Sequence, residues 1–267
     1  MIQENYSLSE AQIQHFEVFG FLVRRNIFTA EEVAKMNEEF DRRLTAVLEE
    51  TDPERKRFIH WTNLTKETPF IASLANDPRI YLQSEQLIGE DSVFHNSGSN
   101  SFPKGDTAWH PDRTDLNVCS IRSAMYLQPT TADCGALRVI PGSHKNPLHE
   151  DLHRIGLWKD KCKGSPYLEK SDLSGEDIPC YVFESEPGDM ITWNEQTWHA
   201  AFGGYKDRRT CNFDFFGNPK TSDEIASMRS LAKQGKQYQP WWLENSDNIP
   251  RRERWINWLQ EWGWIKD

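Results

Sequence analysis

The chain has 267 residues, enough to bury a core without disulfide or metal staples, and spans the range of one or two domains. Lys and Arg number 31 against 41 Asp and Glu, a net charge of −10, which argues against a general nucleic-acid binder and against a polybasic membrane-surface protein. With 37% hydrophobic and 12% aromatic residues it is globular rather than disordered.

The N-terminal third reads helical. Ile13 and Phe16 recur at helical spacing between Ser9 and Phe19, and a short strand-like run, 20–25, follows. Thr29-Ala-Glu-Glu32 has the form of a capping box. The helix that it opens shows Val33, Met36, Phe40, Leu44 and Val47 at spacings of three and four. Pro78 suits the first turn of a further helix over 79–88, stopped by Gly89. The longest early apolar stretch, 18–23, is far short of the ~20 residues of a membrane span, and no basic leader precedes it.

From about residue 91 the texture changes to short extended runs separated by Gly, Pro, Asn and Asp. The predicted strands are 92–96, 118–128, 136–140, 181–184, 189–194, 199–203 and 208–217, a pattern that fits an antiparallel sandwich or jelly roll. Residues 145–177 interrupt it: polar, weakly periodic and without a strand pattern, they read as a lid or binding loop. In the tail, Trp255, Trp258, Leu259 and Trp262 share one helical face. That face fits a helix docked on the sheet, a dimer contact or an aromatic wall over a pocket. The division is a single domain over 1–267: a helical part to about 90, a core over 91–218 and a Trp-rich helical tail over 219–267.

Five cysteines, Cys119, Cys134, Cys162, Cys180 and Cys211, are scattered with no CxxC. They read as free thiols in a reducing compartment, so the expected location is the cytoplasm.

The strongest local signal is Trp109-His110-Pro111-Asp112. His and Asp two apart at a strand edge point to the same side. Imidazole and carboxylate are ligands that suit Fe(II), and a third ligand from far along the chain would complete a face with open positions opposite. Alone, such a pair is more often solvated than metal-binding, and the insertion holds a second one, His149-Glu150-Asp151. The third-ligand candidates are His144, in a turn, His153, in the polar insertion, and His199. His199 is preferred, because Ala200-Ala-Phe-Gly-Gly204 allows close backbone approach around a cofactor. Nine residues on, Arg208 and Thr210 share a face of an extended run, with Arg209 turned away. A guanidinium fork beside a hydroxyl binds a carboxylate bidentately; the alternative is a solvated basic pair.

On these residues the chain resembles the phytanoyl-CoA dioxygenase family of Fe(II)- and 2-oxoglutarate-dependent oxygenases. The likeness begins at 16–28 and continues through Trp109–Asp112, Ala124–Gln128, Gly188-Asp189, His199 and Arg208. Gly135–Lys145 is its most family-specific stretch, and the whole covers roughly residues 10–218. The resemblance implies a mainly β fold with flanking helices, a double-stranded β-helix of the distorted jelly-roll, cupin-like kind. It implies that His110, Asp112 and His199 bind Fe(II) and that Arg208, helped by Thr210, holds the far carboxylate of 2-oxoglutarate. Arg122 departs from relatives, which often carry an aromatic or apolar residue there. A buried charge needs a partner, and either an anionic group of 2-oxoglutarate or substrate, or a protein carboxylate, could supply it. Because the carboxylate ligand is present, hydroxylation or a related oxidation is implied rather than halogenation, with O2 consumed and succinate and CO2 released. The expected substrate is a small polar metabolite or natural product, as in secondary metabolism, acted on by a monomer or homodimer. The net charge of −10 weighs against an acyl-CoA. The remaining alternatives are a jelly-roll binding protein without catalysis and a metal-dependent cupin-type dioxygenase that needs no oxoacid.

Overall fold

A computed structural model describes residues 6–49, 59–102, 106–157, 175–203, 208–233, 238–244 and 249–265. Helix α1 (Glu10–Phe19) starts from Ser9, whose side chain accepts from the Gln12 amide while Gln12 reaches back. It stops at Gly20, which is left-handed at φ +79. A Cβ there would fall 2.4 Å from Nδ1 of His144 and 2.8 Å from Oγ1 of Thr197, so glycine is what lets the 141–144 turn close behind the helix. Strand β1 (Phe21–Arg24) follows, then helix α2 (Ala30–Glu49), opened by the reciprocal bonds between Thr29 and Glu32. Strand β2 (Ile59–Thr62), helix α3 (Pro69–Ser73) and helix α4 (Pro78–Ile88) complete the N-terminal part.

The strands that follow are β3 (Val93–Phe102), β4 (Thr107–His110), β5 (Ser120–Tyr126) and β6 (Leu137–Val139), then, after helix α5 (Leu148–Arg154), β7 (Tyr181–Phe183), β8 (Met190–Asn194), β9 (His199–Ala201) and β10 (Arg208–Phe216). Helices α6 (Ser222–Ala232), α7 (Pro240–Glu244) and α8 (Pro250–Glu261) form the tail. Every strand pairing is antiparallel, in two sheets of order β1-β8-β5-β10-β3-β2 and β4-β9-β6-β7. This is the mainly β, helix-flanked, jelly-roll architecture of the double-stranded β-helix.

The outer face of the six-stranded sheet carries the main core. Ile121, Met125, Met190, Cys211, Phe213 and Phe215 pack there against Met36 and Phe40 of α2, Ile80 of α4 and Trp255 of α8. Of the three readings of the tail, docking is the observed one. Trp255 and Leu259 are buried, and Trp255 Nε1 donates to the Ser92 carbonyl at 3.1 Å.

Several elements differ from expectation. The strand predicted over 92–96 runs on to Phe102. Gly98 and its serine and asparagine neighbours have weak strand preference, but β10 and β2 pair with them on both sides. Strand β1 falls on the strand-like run expected over 20–25, whereas β2 comes from the part read as helical; both join the large sheet. Strand β2 and helix α3 had no sequence expectation, being short or weakly patterned, while α6 and α7 fall within the tail expected to be helical. Within the interruption at 145–177, residues 148–154 form α5 rather than loop, and Gly175–Asp177 form a 3-10 turn. Residues 158–174, the bulk of the expected lid, lie outside the described residues, as does Cys162.

Candidate active site

Strand alternation turns the sheets' inner faces polar. On β10 the apolar residues Cys211, Phe213 and Phe215 face the helices, while Arg208, Thr210 and Asn212 line a cavity of about 410 Å³ between the sheets. The cavity is also lined by His110, Asp112, Arg122 and His199.

His110 closes β4 and lies directly opposite His199 in the β4–β9 register, with ring centroids 4.3 Å apart. Asp112 follows past the strand end. His110 Nε2 is 4.0 Å from Asp112 Oδ1, and His199 Nε2 is 3.6 Å from Oδ2. One ligand atom from each of the three lies within 4.8 Å of the others, and among the described residues this is the sole such group of three. The outer nitrogen of each ring is occupied. His110 Nδ1 meets the Ala108 carbonyl at 2.8 Å and His199 Nδ1 that of Thr197 at 2.9 Å. A carbonyl only accepts, so Nδ1 is the donor and Nε2 presents its lone pair inward, as a metal-ligating imidazole requires. Burial pushes His199 down to about 4 against the opposing pull of Asp112, so its ring is neutral at neutral pH. Burial alone would raise Asp112, but Arg122, then His199 and His110, hold it below the usual carboxylate range. The neutral His199, the facing His110 imidazole and one carboxylate are a donor set that fits a divalent iron.

Arg208 is 3% exposed; Nη1 donates to the Gly135 carbonyl at 3.0 Å and Nη2 to Thr107 Oγ1 at 3.1 Å, while its guanidinium lies 4.0 Å from the Phe102 ring centroid. Thr210 is on the same face and accepts from Asn100 Nδ2. Arg209 points the other way and pairs with Asp41 of α2 at 2.7 Å. Of the two partners left open for Arg122, the structure shows protein carboxylates: Asp112 at 2.9 Å, Asp214 at 2.8 Å and Glu195 at 3.2 Å.

The other histidines lie elsewhere. His144 sits behind α1, with Nε2 3.3 Å from the Glu17 carbonyl. His149 is buried on α5 with Nδ1 on the Ser143 carbonyl, and the rings of His149 and His153 pack on Trp198. Asp151 is bonded outward to Arg154. Trp198 packs in the cluster on the far side of the small sheet, while His199, Ala200 and Ala201 line the cavity. Asn100, Tyr126, Trp193 and Asn212 are cavity residues without a sequence expectation. The alternation that singled out Arg208 and Thr210 also reaches Asn212 and Asp214.

The fold and the cavity thus define a jelly-roll protein with a two-histidine, one-carboxylate cluster opening into a pocket between the sheets. The family model described as phytanoyl-CoA dioxygenase (PhyH) matches residues 16–210, and the chain belongs to that family. It is a non-haem dioxygenase that uses iron(II), 2-oxoglutarate and O2 on a small-molecule substrate. An ectoine dioxygenase of Bordetella bronchiseptica is 29% identical over 219 residues, covering 73% of this chain and 70% of the relative. One from Sphingopyxis alaskensis is 29% identical over 217 residues, covering 73% and 71%. Among solved structures, HygX from Streptomyces hygroscopicus, with nickel and 2-oxoglutarate bound, aligns at TM-score 0.60 and 19% identity over 81% of this chain and 93% of its own. EctD from S. alaskensis, with 2-oxoglutarate and 5-hydroxyectoine, aligns at 0.58 and 21% identity over 81% and 78%. At such identities these structures speak for the fold. Among the described residues, no helix is long and apolar enough to cross a membrane.

Proposed function

We propose that His110, Asp112 and His199 hold the iron(II), that Arg208 with Thr210 receives the distal carboxylate of 2-oxoglutarate, and that the substrate is a compact polar metabolite such as ectoine or a close analogue. The observation that carries this reading is the inward aim of both Nε2 atoms, fixed from behind by carbonyls, in the same cavity as a buried guanidinium. Bound iron, 2-oxoglutarate and O2 together would supply the oxidising chemistry: O2 is the oxidant, the oxoacid leaves as succinate and CO2, and a substrate C–H bond is oxidised. The protein's part is position. Gly135 and Thr107 orient the Arg208 fork, and the rings of Phe102, Trp109 and Trp193 narrow the space left to substrate.

A compact substrate follows from the room available. About 410 Å³ must hold both the oxoacid and the group to be oxidised. Among the described residues lining it, the cationic side chains are Arg122 and Arg208, which suits a compact polar substrate better than the phosphates of a CoA ester. The relatives named for ectoine favour the same size class. A cytoplasmic site suits the free thiols of Cys119, Cys134, Cys180 and Cys211. A monomer or homodimer with no nucleic-acid or membrane partner completes the reading.

The test is anaerobic iron loading followed by succinate release, with ectoine first in a panel of small polar metabolites. Alanine at His110, Asp112 or His199 is expected to lower bound iron and abolish turnover while circular dichroism stays that of the folded chain. Full iron content in His199→Ala would overturn the ligand set. Succinate release unaffected by every compact metabolite, but stimulated by an acyl-CoA, would overturn the substrate class.

A further inference from the structure

The cluster around Arg122 is larger than a strand-to-strand bridge requires. Arg122 on β5 faces Asp214 on β10 in register. Asp214 alone occupies two guanidinium nitrogens, Nε at 2.8 Å and Nη2 at 3.2 Å, and is itself fixed by Asn96 Nδ2 at 2.7 Å. Glu195, 1% exposed and bonded from its far oxygen by Arg113, approaches Nη2 at 3.2 Å. The planar group is therefore oriented from two sides before it meets Asp112. Its remaining terminal nitrogen, Nη1, donates to Asp112 Oδ1 at 2.9 Å.

That contact leaves the two oxygens of Asp112 unequal. Oδ1 is committed to a charged donor, whereas Oδ2 lies 3.6 Å from His199 Nε2, with a longer bond from Trp193 Nε1 at 3.3 Å. Two cations, Arg113 and Arg122, meet three carboxylates, Asp112, Glu195 and Asp214, so the cluster keeps one net negative charge for a divalent ion. A carboxylate free to turn could give both oxygens to a metal and occupy a coordination position that the co-substrate needs.

Resting on the ligand set proposed above, we propose that Arg122 is a positioning residue: its guanidinium, held by Asp214 and Glu195, fixes Asp112 so that the carboxylate offers the metal a single oxygen, Oδ2. The outer partner of a metal ligand sets the ligand's orientation, and its loss costs about 10–100-fold in metal affinity or activity.

Removing Arg122 alone would strand buried carboxylates and invite unfolding. The informative variant is the charge-compensated double Arg122→Met/Asp214→Asn, which keeps the Arg113–Glu195 pair and the net charge of the cluster, compared with Arg122→Lys and the wild-type chain. Cobalt(II) serves as probe. Its affinity is read from quenching of tryptophan fluorescence, and its visible absorption reports coordination geometry without turnover. The folded double variant is expected to bind cobalt about 10–100-fold more weakly with an altered spectrum, and Arg122→Lys to lie between it and wild type. Wild-type affinity and spectrum in the folded double variant would overturn the proposal and leave Arg122 a structural ion pair. Should the double variant not fold, wild-type affinity and spectrum in Arg122→Lys would overturn it equally. An Asp112→Ala control separates the two levels, since unchanged cobalt binding there would remove the ligand set itself.

Discussion

Replacing Arg208 by Lys keeps the positive charge and removes the fork. In the structure that fork is set by three contacts: Nη1 to the Gly135 carbonyl at 3.0 Å, Nη2 to Thr107 at 3.1 Å and the face of Phe102 at 4.0 Å. An ammonium makes none of them in the same geometry, and at 3% exposure water cannot take their place. A hydrogen bond to a charged group is worth about 1.5–3 kcal/mol, and 1.4 kcal/mol is a tenfold change in affinity. Loss of one prong therefore raises the apparent KM for 2-oxoglutarate about 10–100-fold. Arg209→Lys is the internal control, since Arg209 reaches Asp41 on α2 and that half-exposed pair touches no cavity residue. Its KM should stay within about twofold, because no carboxylate-binding contact changes. The assay is succinate release against 2-oxoglutarate concentration at saturating substrate. A larger effect from Arg209→Lys than from Arg208→Lys, or no change in the latter, would refute the assignment of the co-substrate end.

The double variant His149→Ala/Asp151→Ala should keep its iron and its uncoupled 2-oxoglutarate turnover, with any loss confined to the substrate-coupled reaction. Iron loss matching Asp112→Ala would show that the wrong His-x-Asp pair was chosen. On β10, Phe213→Ala removes a fully buried ring and should cost about 3–5 kcal/mol, seen as a fall in Tm on the order of 10 °C. Its neighbour Asn212→Ala should hold or raise Tm, because Oδ1 of Asn212 is buried with no hydrogen-bond partner among the described residues. Acid titration tests the link between α2 and α4. The bond from Arg79 holds the Glu32 carboxyl down from 4.5 to about 2, so its contribution is complete above the unfolded value and is lost as pH falls towards 2. Glu32→Gln should flatten that part of the stability–pH curve and leave neutral pH as the point of largest loss.

Much of this was visible in the residues because local rules carried it. The Thr29–Glu32 box, Pro78 at a helix start and the alternation of Arg208, Arg209 and Thr210 each depend on neighbours within four positions. What stayed hidden depends on pairing across the chain. Arg122 meets Asp214, 92 positions away, through the β5–β10 register, which no local pattern specifies. Strand β3 beyond Asn96 is imposed by its partners, and α5 owes its place to Leu152 and His149 packing inward near Trp198. Trp193 and Asn212 became cavity residues only when the sheets closed on each other.

The same closure explains how a polar interior is tolerated. A jelly roll left bare would need its inner face for the core. Here α2, α4 and α8 cover the outer face of the large sheet, so the apolar half of β5, β8 and β10 is satisfied outward. The inner half is then free for charge. On β10 the outward Cys211, Phe213 and Phe215 alternate with Arg208, Thr210, Asn212 and Asp214, so that one strand serves the core with one face and the cavity with the other. The carboxylates placed inward remain costly, and each meets a guanidinium: Asp214 that of Arg122, Glu195 that of Arg113, and Asp112 that of Arg122. The small sheet completes the arrangement by setting His110 across from His199. The helices, by burying what the strands turn outward, are thus as much a condition of the proposed iron site as its three proposed ligands.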